Sequence, residues 1–182
     1  MTRTFKTAAF ALLLGAAGAA YAANPDVGGA AMFENRNIVE NAVNSKDHTT
    51  LVAAVQAAGL VETLEGTGPF TVFAPTNAAF AALPDGTVET LLMPENKAML
   101  TDVLTYHVVA GKLSAADLAQ RIAANDGVYI FETVNGTKLS AQMRGDTIYI
   151  GDKGGHNATV TISDVNQSNG VIHVLDRVLL PM

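Results

Sequence analysis

Cysteine is absent from the 182 residues. The fold therefore holds without disulfides, no thiolate is available to a metal, and no lipid can be attached through a cysteine. Charge is sparse, at 15% of residues, and positive charge sparser still: 11 basic residues face 17 acidic ones, for a formal net charge of −6. Such an acidic surface excludes nucleic acid and anionic lipid as default partners. Long apolar runs are lacking too, because the most hydrophobic stretch, residues 8–20, is shorter than the about 20 residues that span a bilayer. Also missing are a G-x-S-x-G elbow, a phosphate-binding loop and a dinucleotide fingerprint. His48, His107, His156 and His173 form no i, i+4 pair and have no carboxylate cluster beside them, and residues 152–157, DKGGHN, carry too few oxygen ligands for a calcium loop. Neither a catalytic centre nor a cofactor nor a metal is expected.

What is present is 49% hydrophobic, the composition of a compact domain rather than a disordered chain. Residues 1–6 carry Arg3 and Lys6 and no acid, residues 8–20 are rich in Ala and Leu, and Ala20-Tyr21-Ala22 fits the small-residue cleavage pattern. These features read as a secretory signal peptide over residues 1–22, cleaved after Ala22, which makes the mature protein secreted or periplasmic with no membrane insertion after cleavage. Its removal takes two basic residues and no acid, so the formal charge moves from −6 to −8. Residues 23–34 contain Pro25, Gly28 and Gly29 and are expected to be a flexible lead-in, and residues 35–182 make one domain long enough to bury a core.

Apolar periodicity divides that domain. Ile38, Val39, Ala42 and Val43 recur at helical spacing, and a second helix carries Leu51, Val52 and Val55, with Asp47 or Thr49 as its cap and Gly59 as its stop. Leu60, Val61 and Leu64 continue as a short helical turn. Residues 70–74, FTVFA, have the aromatic and β-branched content of a buried strand, which Pro75 stops by withholding a ladder donor. Asn77 is placed to cap a short helix with Phe80 and Leu83 inward. After a turn at Pro84-Asp85-Gly86, Thr87 caps the next helix. Pro94 then opens the longest one, whose stripe of Leu100, Val103 and Leu104 ends on His107. Ser114 and Asp117 form a capping box. Beyond it the period becomes two: residues 129–134, 137–143, 147–150, 158–162 and 171–180 read as strands, with hairpin turns at Asn135-Gly136 and Gly145-Asp146. Helices toward the front and strands toward the back give an α+β fold, with the strand at 70–74 crossing into a sheet built mostly from the C-terminal half.

Residues 71–80, TVFAPTNAAF, resemble the first signature motif of the fasciclin domain family. Tyr106-His107 after a helix and residues 169–181, NGVIHVLDRVLLP, resemble two further motifs in the right order, so the resemblance covers roughly residues 35–181. It implies a wedge-shaped β-sandwich of about seven strands with several α-helices along one edge. It also implies an exported, non-enzymatic module that mediates adhesion or binds proteins or polysaccharides at cell surfaces or in the extracellular matrix. Single-domain secreted bacterial members are the most similar in layout. Thr71, Phe73, Pro75, Thr76, Asn77, Phe80, Tyr106, His107, Gly170 and His173 are the motif positions, and the resemblance makes Tyr106-His107 a buttress for the first motif. A different class of function, binding of a small molecule or polysaccharide in a pocket between helices and sandwich, is the alternative. The residues name neither an individual partner nor an oligomeric state.

Three further features bear on partners. His107 closes an apolar stripe, which favours a core histidine bonded to backbone near the Pro75–Asn77 corner over a proton-sensitive or partner-contacting one. Arg144-Gly145-Asp146 is the tripeptide that integrins recognise and sits at an expected hairpin tip, although all three are ordinary turn residues. Asp164-Val165 aligns with an Asp-Ile pair that animal fasciclin domains offer to integrins. The flanking Ser163 and Asn166 depart from that pattern, and the competing reading is a strand-ending aspartate in a turn. Asn135, Asn157 and Asn166 each begin a formal glycosylation sequon.

Overall fold

The computed structural model describes residues 24–181, so the expected signal peptide and its cleavage site lie outside the described residues. The helical front comprises α1 (Ile38–Ala42), α2 (Thr49–Ala58), α3 (Val61–Glu65), α4 (Asn77–Ala81), α5 (Thr87–Leu92) and α6 (Lys97–Tyr106), interrupted by β1 (Phe70–Pro75). Then come β2 (Val108–Ala110), α7 (Ala115–Ala124) and the run β3 (Val128–Glu132), β4 (Lys138–Arg144), β5 (Thr147–Gly151), β6 (Asn157–Gln167) and β7 (Gly170–Leu175). The seven strands form one sheet in the order β2-β1-β7-β6-β5-β4-β3.

The strand at 70–75 does cross into the C-terminal sheet. It pairs antiparallel with β2 and parallel with β7, Phe70 opposite Gly170 and Pro75 opposite Leu175. Its near-continuous apolar character follows from burial on both faces. Val72 and Ala74 pack with α2, α5 and α6 in one core, while Phe73 points the other way into a second core with Leu118, Leu139, Ile150 and Leu175. Every residue of β7 is buried for the same reason.

Long strand β6 folds this sheet over on itself. Its first part pairs with β5 and its later part with β7, and the register shifts twice between Val160 and Val165. Bulges bend a strand and increase its twist, so the two halves of the sheet face each other across the second core as a sandwich made from one continuous sheet. At the far side the sheet is nearly closed: the Val134 amide, just past β3, donates to the Val108 carbonyl of β2 at 2.8 Å.

Several local expectations change. The β3–β4 hairpin turns through five residues, not two, because Val134 is drawn to β2 and the Asn135 side chain accepts from Thr137 N–H. Strand β6 runs on to Gln167, so Asp164 lies in a bulge and not in a terminating turn, and β7 stops at Leu175 instead of reaching residue 180. Thr76, not Asn77, caps α4, its hydroxyl accepting from Ala79 N–H at 3.2 Å. Gly86 rather than Thr87 occupies the cap of α5, and Pro94 opens a single 3₁₀ turn before α6. Neither Asp47 nor Thr49 caps α2, whose Thr50 N–H is taken up by the Asn77 side chain. Residues 24–34, expected as a flexible lead-in, are bound into the domain. Val27 and Met32 are buried in the first core, and Asn24 exchanges two hydrogen bonds with the Asn166 backbone. The apolar Val27 and Met32 outweigh the loosening effect of Pro25, Gly28 and Gly29.

Candidate functional site

The motif side chains converge on the boundary between the two cores. Thr71, wholly buried in β1, donates from Oγ1 to the Gly111 carbonyl at 2.7 Å and accepts from Leu113 N–H at 2.9 Å, which fixes the turn between β2 and α7. Next to it Phe73 lies between Phe131, 5.9 Å away between ring centroids, and His173, stacked at 5.6 Å. His173 donates from Nε2 to the Leu113 carbonyl at 2.8 Å, and its Nδ1 accepts from Asp164 N–H at 3.3 Å. Burial lowers its pKa, opposed by the Leu113 carbonyl and by Asp164.

Asp164 completes this chain of contacts. It is a non-glycine residue with φ of 57°, a conformation that aspartate tolerates better than most, and its Oδ1 accepts from Ala115 N–H at 2.8 Å. That carboxylate therefore supplements the Ser114–Asp117 capping box at the positive end of α7. Thr71, His173 and Asp164 thus pin the same short segment, residues 111–115. Val165 beside it is wholly buried in the first core.

Tyr106 and His107 sit at the end of α6 and brace the opposite flank. The Tyr106 hydroxyl donates to the Lys138 carbonyl at 3.1 Å and accepts from Lys153 N–H at 3.0 Å, and burial pushes its pKa up. His107 is not bonded to the Pro75–Asn77 corner through its ring. Nδ1 donates to the Val103 carbonyl at 2.7 Å, one turn back, and Nε2 accepts from Leu179 N–H at 3.0 Å. Only a neutral imidazole can make both bonds, and burial holds its pKa down to about 4 against the raising effects of the Val103 carbonyl and Asp152. The His107 carbonyl does reach the first motif, accepting from Phe73 N–H at 2.9 Å.

The remaining motif residues are equally committed. Asn77 bonds to the Lys46 carbonyl, the Thr49 hydroxyl and Thr50 N–H, joining α4 to the start of α2. Phe80 is buried in the first core and Pro75 ends the β1–β7 ladder. Gly170 is a close-approach glycine: a Cβ there would run into the Phe70 carbonyl, so no other residue fits this start of β7.

Two sets of polar residues escaped the sequence reading. Buried Asn41 and Gln167 form an amide pair in which Asn41 also binds the Phe33 backbone, and buried Asn169 separately binds Ile38 N–H and the Leu64 and Gly66 carbonyls. The signal was Asn41, a polar residue one turn from Ile38 on the inward face of α1. Asp152, placed in a loop, turns its carboxylate inward to accept from His156 N–H at 2.9 Å and Leu180 N–H at 3.4 Å.

Exposed by contrast is Arg144-Gly145-Asp146, at the two-residue turn between β4 and β5. Gly145 takes a φ of 60°, as a tight hairpin requires at its first central position. The Arg144 guanidinium lies over the Tyr149 ring at 5.2 Å. Among the described residues no three His, Asp or Glu side chains converge as metal ligands, and no helix is long and apolar enough to cross a membrane.

A family profile described as "Fasciclin domain" matches residues 46–181. The chain belongs to the fasciclin domain family. Protein sll1483 of Synechocystis sp. is 50% identical over 144 residues, which cover 79% of this chain and 73% of the relative. Cell surface glycolipoprotein MPB83 of Mycobacterium bovis is 33% identical over 176 residues, covering 93% of this chain and 72% of the relative. Among solved structures, a FAS1 domain pair from the insect cell adhesion molecule fasciclin I superimposes with a TM-score of 0.70 at 18% identity. That match covers 80% of this chain and 51% of the insect pair, so this fasciclin domain spans about half the length of that structure. Seven strands in a nearly closed sheet with a helical layer are the fold the two share.

Proposed function

We propose that this fasciclin domain is an exported, non-enzymatic interaction module that binds a protein or polysaccharide on a cell surface or in a matrix through its hairpin tips. The observation that carries the reading is the division of labour among its side chains. Most motif residues are buried and all are engaged by neighbouring backbone or side chains, Thr76 and Asn77 being half-buried, whereas Arg144, Gly145 and Asp146 stand exposed on a turn held by two paired strands. Loops on a rigid scaffold are where recognition residues are found. A relative whose name places it at the cell surface, and a structural neighbour described as a cell adhesion molecule, support the same reading. The Asp164-Val165 pair is left out of the proposed surface, because Val165 is buried and the Asp164 carboxylate holds α7.

The test is saturable binding of the purified domain to envelope and matrix fractions, compared with Asp146→Glu. The longer side chain at the turn lowers apparent affinity at least tenfold while the melting temperature stays within about 2 °C, since the position is exposed. Absence of saturable binding to every fraction refutes the module reading. Equal binding by the variant refutes only the use of this turn.

A further inference from the structure

The two end strands of the sheet, β2 and β3, meet among the described residues through one main-chain bond, from Val134 N–H to the Val108 carbonyl, and residues 128–132 run without a strand beside them. Helix α7 packs with Phe131 and Leu139 on the inner face through Leu118 and Ile122, and leaves Val128, Ile130 and Glu132 exposed. Thr133 N–H donates to the Thr137 carbonyl, which makes that opposed pair a hydrogen-bonded one, and along β3 such pairs alternate with unbonded ones. The N–H and C=O groups of Ile130 and Glu132 therefore point away from β4, and neither amide has an acceptor among the described residues. The Val134 amide follows the same alternation when it reaches β2.

An open strand is a template for another, and natural edges are guarded by lysine, proline or a bulge. Residues 128–132, VYIFE, carry none of these, and their pairing with β4 is regular throughout. Ile130 is instead the most exposed large hydrophobic residue among those described, at 60%. We propose that β3 pairs antiparallel with β3 of a second copy across a two-fold axis at Ile130, joining two sheets into one. Ile130 then exchanges N–H and C=O with its own counterpart, each Glu132 amide reaches the Val128 carbonyl of the other copy, and the two isoleucines cover each other. Charge selects this register. Sliding two residues one way sets Asp126 against Glu132, like charges face to face; sliding the other way opposes Val128 to Val134, whose amide β2 already holds. Centred on Ile130, the edge is complementary to itself, with no like charges opposed and both open amides matched. This inference is independent of the hairpin-tip reading, since it uses the strand edge and not the β4–β5 turn.

Sedimentation equilibrium of the purified protein up to about 1 mM tests it, with a monomer–dimer equilibrium expected. Ile130→Lys, which sets two ammonium groups against each other at the axis, weakens dimerisation at least tenfold while the melting temperature of the monomer stays within about 2 °C, since the side chain is exposed. Because the chain has no cysteine, a single introduced thiol reports its position without background. Ile130→Cys is expected to give a disulfide-linked dimer under mild oxidation, as opposed hydrogen-bonded residues lie about 5.5 Å apart between Cα atoms. Val43→Cys, similarly exposed but on the helical layer, stays largely monomeric. The wild-type protein alone keeps the proposal falsifiable if a variant fails to fold, because hydrogen exchange at the Ile130 and Glu132 amides must slow as protein concentration rises. A monomer at about 1 mM, exchange that ignores concentration, Ile130→Lys dimerising within twofold of wild type, or equal cross-linking of the two cysteine variants each overturns it. Slowing that appears only on adding an envelope fraction also overturns it, and assigns the edge to a strand of another protein.

Discussion

His107 illustrates how a single side chain can tie two distant segments together through backbone bonds alone. Its ring joins the last turn of α6 to the C-terminal segment through one donated and one accepted backbone bond. A second proton would set an N–H against the Leu179 N–H, so the folded state takes it up only near the depressed pKa of about 4, below the ordinary 6.5. As pH falls through 6.5 the unfolded chain binds the proton first. Stability is therefore complete above about pH 6.5 and is lost on descent toward pH 4, at up to about 1.4 kcal/mol per pH unit and about 3 kcal/mol in all from this residue. Buried His48 and His173 are lowered in the same direction and steepen the loss. Urea unfolding at a series of pH values measures this, and His107→Gln should flatten the profile while lowering stability at pH 7 by about 1–3 kcal/mol. The apolar stripe ending on position 107 made a core histidine legible in the sequence. Its partner was not, because Leu179 comes from a segment that the sequence reading assigned to a strand.

At the scale of elements, the bulge in β6 does two jobs at once. It turns the sheet from one half of the sandwich to the other, and it aims the Asp164 carboxylate at the start of α7. Replacing Asp164 by alanine removes that acceptor and leaves a residue ill suited to a φ of 57°, so a loss of about 2 kcal/mol is expected. Asp164→Asn, which keeps an acceptor oxygen and tolerates the conformation, should stay within about 1 kcal/mol of wild type. Thermal unfolding of the two variants side by side distinguishes a bulge fixed by its side chain from one fixed only by the ladder. Strand and helix types were legible here because periods of two and of 3.6 residues differ over short windows. The bulge was not: residues 163–167 contain Ser, Asp, Asn and Gln, the composition of a turn, and only pairing with β7 makes them strand.

For the molecule as a whole, the N-terminal segment belongs to the domain. Val27 and Met32 complete the first core, and their side chains account for about 3–5 kcal/mol of burial. A protein lacking residues up to Phe33 should melt roughly 10 °C lower, which differential scanning calorimetry would register. Pro and Gly content concealed this, since turn residues mark where the chain bends and say nothing of what it bends against. The class of fold and the central place of residues 70–75 could be read from composition change and motif. The closure of the sheet could not, because it rests on one main-chain bond between Val134 and Val108, whose sequence separation leaves no periodic trace.

The parallel pairing of β1 with β7 also sets the order in which this protein can come into being. A chain emerging from the ribosome completes the helical layer early, but the floor on which that layer packs needs the final strand. Loop closure over so long a separation comes late in folding, and until then the apolar face of β1 has only short β2 beside it. A fragment ending at Ser168 should be digested by protease at the rate of an unfolded chain. Synthesis can therefore run to the last few residues before any stable structure forms.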